Sequence, residues 1–173
     1  MFLTRAADFI DAINQRIGTA VAWLALVMVV VQFAVVVLRY VFGLGFIMMQ
    51  ESVIYMHSLV FMVGAGYTLL HGGHVRVDIF YSAASPKRKA LVDLLGCLLL
   101  LLPVCILLFW ASLPYVELSW SSYEGSKETS GIQAVFLLKT VILIFAALLT
   151  LQGVGLAVRS LATLTGAPAP QER

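Results

Sequence analysis

Three histidines and a few charged or amide side chains stand within or beside long apolar runs, and these are the residues with chemistry to offer. His57 lies inside one run, and His71 and His74 follow at its far end. Histidines in a helical bundle suggest haem, which needs two facing imidazoles at similar depth. His57 is the only one clearly inside a span, so no second helix of the chain supplies its counterpart. A metal shared by His71 and His74 lacks a cysteine or third strong ligand. Glu51 and Asp93 are candidate proton or ion carriers, as intramembrane acids often are. Both fall near span ends rather than the midplane, which favours boundary anchoring.

The remaining polar residues read as structural. Arg39 and Glu51 flank a short turn; they either pair and pin two spans together or snorkel separately to the interface. Lys139 either snorkels outward or meets an acid such as Glu117 or Glu124. Gln152, beside Gly153 and Gly155, marks a close helix contact. Cys97 and Cys105 are about 12 Å apart along a helix, too far for an intrachain disulfide, and serve as small packing residues. Gly72-Gly73 and Gly153-x-Gly155 are too short for a nucleotide loop. Lys87-Arg88-Lys89 is the only basic run, so no nucleic-acid role is expected. No nucleophile–base arrangement stands out; the chain is read as not an enzyme, with no cofactor.

The elements that hold these residues follow from composition. The 173-residue chain is 61% hydrophobic and 12% charged, whereas soluble domains carry about 25% charged residues. Its apolar residues arrive in blocks long enough to cross a bilayer. The expected fold is all-α: an integral membrane protein with four transmembrane helices, roughly 18–42, 50–70, 91–116 and 134–158. Residues 1–160 form one membrane domain, and 161–173, rich in alanine and proline, form a disordered tail. Residues 2–17 carry apolar residues at helical spacing with Arg5, Asp8, Asp11, Asn14, Gln15 and Arg16 mostly between them, which predicts an amphipathic helix in the headgroup region. Gln32 is the one strongly polar residue inside the first span. The second span holds Tyr55, His57 and Ser58 before Gly64-Ala65-Gly66, a face expected to meet protein rather than lipid. His71-Gly72-Gly73-His74 ends that span, and Ser85-Pro86 starts the third as N-cap and first-turn proline. Pro103 should kink the third span.

Charge sets the orientation. Arg5, Arg16, Arg76, Lys87, Arg88, Lys89, Arg159 and Arg173 fall on one side, against Arg39, Lys127 and Lys139 on the other. Cytoplasmic loops carry the Lys/Arg excess, so both termini and residues 71–90 are expected to be cytoplasmic. No inverted repeat relates the two halves, as one would in a complete secondary transporter.

Certain stretches resemble a known family. Gly72-Gly73-His74-Val75-Arg76-Val77-Asp78 looks like the G-x-H-V-R-V-D signature of the small, Q-type membrane subunit of tripartite ATP-independent periplasmic (TRAP) transporters. Arg39-Tyr40-Val41-Phe42 is similar to that family's R-Y-V-F, and Glu51-Ser52 opens the second span as its members do. Ser119-Trp120, Glu124-Gly125-Ser126, Leu138-Lys139 and Leu151-Gln152-Gly153 follow in order, so the resemblance covers about 39–152. Ser130-Gly131-Ile132-Gln133 stands where a glycine pair and proline would be expected. The resemblance implies a bacterial inner-membrane protein beside a large permease subunit that holds the solute and ion sites. A periplasmic binding protein delivers the solute, typically an organic acid, and an ion gradient drives uptake. The small subunit scaffolds the large one. Residues 71–90 would then form a cytoplasmic interfacial arm, fixed by Arg76 and Asp78, with His74 helping to end the second span; a solvated loop is the alternative. Candidate structural and partner-facing residues are therefore Arg39, Glu51, His57, His74, Arg76, Asp78, Glu124, Lys139 and Gln152.

Two other functions compete: a cytochrome b-like membrane anchor of an electron-transfer complex, and a small exporter acting as a dimer. The exporter's usual mark is a lone acid in the first span, where this chain has Gln32. For the anchor, the purified protein's visible spectrum decides. The transporter-subunit reading expects a colourless preparation, and a Soret band would overturn it.

Overall fold

The computed structural model describes residues 2–75 and 81–166, and these fold entirely as helices and turns. Four helices are long and apolar enough to cross a membrane. We number them α1 (Phe2–Tyr40), α2 (Ile47–Leu70), α3 (Pro86–Ser121) and α4 (Val135–Thr165). All four run past, or begin before, at least one boundary expected from sequence. In particular α4 continues to Thr165 and ends on Gly166 at φ 72, so 161–165 are helical rather than a loose tail. Glycine takes that left-handed conformation without a Cβ penalty.

The N-terminal segment departs from expectation. It is not a separate helix but the first part of one 39-residue helix. No proline interrupts it, and Gly18, the one residue that could break it, is used for packing. A β-carbon at Gly18 would lie 2.2 Å from the Tyr67 ring of α2. The amphipathic pattern is satisfied by protein: Ala7, Ile10 and Asn14 are buried, spaced three and four apart on one face. Beyond Gly18 the apolar stretch of α1 faces outward, with Trp23, Val29, Val30 and Phe33 all exposed.

α4 is the central post, packing against each of the other three helices. Besides Val141 and Leu149, its buried positions are small or amide: Ala146, Gln152, Gly153, Gly155 and Ser160. Close backbone approach replaces hydrophobic drive in a bilayer, since lipid is as apolar as leucine. Ala65, Cys105 and Leu149 form the mid-bundle core, with Leu69, Leu101 and Phe145 packed around them.

Two wide π-turns adjust helix register against α4. On α3 the turn covers Cys97–Leu101, directly before Pro103, whose ring and missing N–H disrupt the regular ladder. The expected Pro103 irregularity thus takes the form of a π-turn. The sequence reading did not single out Pro114, which also lies inside this helix. On α2 the turn covers Leu59–Val63 and closes on Gly64, where a β-carbon would fall 2.4 Å from the Val60 carbonyl oxygen.

The Gly64–Gly66 cluster is spent inside the chain rather than on a partner. Ala65 and Gly66 are buried, and a β-carbon on Gly66 would sit 2.2 Å from Asn14 Oδ1. Gly66→Ala should therefore lower thermal stability in detergent by about 1–3 kcal/mol, as overpacking does. Gly96→Ala, with nothing within 4 Å, should be neutral or stabilising. Equal melting temperatures for the two variants would contradict this packing.

Candidate functional site

The described side chains with chemical capacity gather at the two ends of the bundle. At the end that carries both chain termini, α1 and α4 share a polar network. Asn14 Nδ2 donates to Gln152 Oε1 at 2.8 Å and to the Ile10 carbonyl at 3.3 Å. Gln152 Nε2 donates to Asp11 Oδ1 at 3.0 Å. Arg159 forks onto the same carboxylate, NH2 to Oδ1 at 2.7 Å and NH1 to Oδ2. Asn14 and Gln152 are 0% and 1% exposed. Such a geometry serves the amides well, because an unmade hydrogen bond in a dry interior costs several kcal/mol. One atom stays unpaired: Asn14 Oδ1 is buried without a hydrogen-bond partner and packs on bare Gly66. Next to this network, His71 Nε2 meets Gln15 Oε1 at 2.7 Å, and its ring lies 4.4 Å from that of Tyr67. The end of α2 is thereby tied to α1.

At the opposite end, Glu51 organises the connector between α3 and α4. Its carboxylate accepts from Ser126 Oγ and, at 2.6 Å, from the Ile132 N–H. Gly131 fits beneath it; a β-carbon there would sit 2.6 Å from Glu51 Oε2. Glu124 pairs with Lys139, whose ammonium also sits 3.9 Å from the centroid of the Tyr115 ring. The Lys139 hydrogen bond holds the Glu124 carboxyl below its ordinary value. Trp120 Nε1 donates to Thr140 Oγ1 at 2.9 Å and packs edge-on to Phe136.

The other singled-out residues do not converge on a site. Arg39 is exposed at the end of α1 and makes no ion pair with Glu51; the carboxylate is turned to the 126–132 connector instead. His57 is exposed on α2, its ring 4.4 Å from that of Phe61. His74 is exposed just after α2. Arg76 and Asp78 lie outside the described residues. Asp93 accepts from Tyr81 Oη at 2.7 Å, an anchoring contact. Cys97 Sγ donates to the Gly153 carbonyl at 2.9 Å, consistent with a packing role.

Sequence reasoning found Gln152 and the Glu124–Lys139 alternative but missed Asp11, Asn14 and Arg159 as a unit. A signal was present. Asn14 falls in register with Ala7 and Ile10 on the apolar side of α1, the wrong place for an amide unless another helix supplies a partner.

The sequence model of one family, described as "Tripartite ATP-independent periplasmic transporters, DctQ component", matches residues 28–163. Comparisons with curated proteins and with solved structures give no match.

Breaking the α1–α4 network should be costly and non-additive. Arg159→Ala leaves the Asp11 carboxylate without its charged donor and should cost about 1–3 kcal/mol in a detergent melt. Asp11→Asn with Arg159→Ala should cost measurably less than the two single effects summed. Additive losses would mean that the contact is not energetically coupled.

Proposed function

The chain belongs to the DctQ family, the small membrane component of TRAP transporters, and we propose that it is a non-catalytic scaffold for a large permease subunit in ion-gradient-driven uptake. The observation that carries the scaffold role is the double clamp. Asp11, Asn14, Gln152 and Arg159 lock α1 to α4 at one end. Glu51 and the Glu124–Lys139 pair fasten the α3–α4 connector to α2 and α4 at the other. A helix bundle secured at both membrane surfaces suits the stationary part of a transporter, against which a mobile solute-carrying part can move.

The acidic and amide side chains of the two clamps are taken up by structural bonds, and in this reading the solute and ion sites belong on the large subunit. A periplasmic binding protein delivers an organic acid to it. The chain sits in a bacterial inner membrane with both termini and residues 71–90 in the cytoplasm. Eight of its eleven Lys and Arg residues support that orientation.

Proteoliposomes test the role. Reconstituted with its large subunit and binding protein under a sodium gradient, the chain should support solute uptake. Reconstituted alone, it should give none. Uptake by this chain alone would overturn the proposal.

A further inference from the structure

α2 is the least hydrophobic of the four spans. None of the residues in Ile47–Ser58 is buried, although the segment includes Gln50, Ser52, Tyr55 and His57. Three of the polar groups here are answered within the chain: Glu51 by the connector, Ser52 by the Met49 carbonyl at 2.7 Å, and Ser58 by the Ile54 carbonyl at 2.9 Å. His57 is not. Ten residues beyond Ile47, it lies about 15 Å along the helix axis, close to the middle of a hydrocarbon layer about 30 Å thick. It is exposed, its ring lies 4.4 Å from that of Phe61, and it makes no hydrogen bond among the described residues. Ile54 and Phe61, 55% and 65% exposed, flank it three and four positions away and complete one outward stripe.

Resting on the small-subunit reading, we propose that the stripe Ile54–His57–Phe61 is where one transmembrane helix of the large permease subunit docks, with a hydrogen-bonding side chain of that helix meeting the His57 ring. Lipid tails could cover Ile54 and Phe61 without loss. They offer nothing to the imidazole, whose N–H and lone pair require polar partners once water is gone. Inside the bundle a neighbouring helix supplies such a partner, as α4 supplies Gln152 to Asn14 Nδ2, so an imidazole left unmatched at mid-depth marks where a further helix belongs. The apolar neighbours above and below it supply the flat packing surface such a helix needs. α3 gives the contrast: Leu99 and Leu107 are 67% and 66% exposed within a leucine-rich stretch that lipid satisfies without help.

The test uses the chain co-expressed with its large subunit, with a photo-activated crosslinking amino acid placed singly at residues 54, 57, 61, 99 and 107. Illumination in membranes should join the large subunit to positions 54, 57 and 61, with at least a tenfold lower yield from 99 and 107. In parallel, H57L should cut recovery of the large subunit on the tagged chain several-fold, while H57Q, which keeps a donor and an acceptor, should retain most of it. Crosslinks from 99 or 107 with none from 54–61, alongside intact co-purification, would overturn this surface yet leave the subunit assignment standing. Failure of the wild-type chain to co-purify with the large subunit at all would overturn both.

Discussion

In a bilayer interior there is no water to satisfy a polar side chain that misses its partner, and this bundle is arranged around that constraint. A single interhelical hydrogen bond in a membrane is worth about 1 kcal/mol, but leaving the same groups unmet in hydrocarbon costs several. The Asn14–Gln152 bond therefore matters less for the energy it adds than for the alternatives it excludes. Any register of α1 against α4 other than the observed one strands two buried amides. Asp11 and Arg159 extend the same selection toward the surface, where a charged pair tolerates partial exposure.

The small residues follow from those bonds. For Asn14 to reach Gln152, α1, α2 and α4 must come close together, and Gly18 and Gly66 remove the β-carbons that would stand between them, while Gly153 does the same between α4 and α3. The π-turns in α2 and α3 are a further consequence: each shifts a helix so that its small residues, Gly64–Gly66 or Cys97, face a neighbour. At the opposite end the connector is secured by a carboxylate reaching from α2. Glu51 does for Ser126 and Ile132 what water would do for an exposed loop.

Much of this was legible in the sequence, for a physical reason. Spans are announced by apolar runs, and the order Arg39-Tyr40, Glu51-Ser52, Gly73-His74-Val75 and Leu151-Gln152-Gly153 carried the family resemblance that the comparison with family sequences supports. What escaped were pairings. Glu51 could be assigned to Arg39 by proximity along the chain, yet its carboxylate is claimed by residues 75 and 81 positions away. Residues 2–17 were legible as amphipathic, but periodicity cannot say whether the apolar face meets lipid or a helix. That depends on Gln152 and Arg159, more than 130 residues downstream. The glycine cluster of α2 was recognised as a surface that meets protein, but small residues mark closeness without naming what is close, here Asn14 of α1.

The scaffold reading requires the four helices to behave as one body while the rest of a transporter moves. Spin labels at two exposed positions, Ala12 on α1 and Leu161 on α4, report on that directly through their distance distribution in the assembled transporter. The expected result is one narrow distance, unchanged by binding protein, solute or sodium gradient. A second population or a shift on imposing the gradient would show α1 and α4 moving apart during transport, and the account would fail.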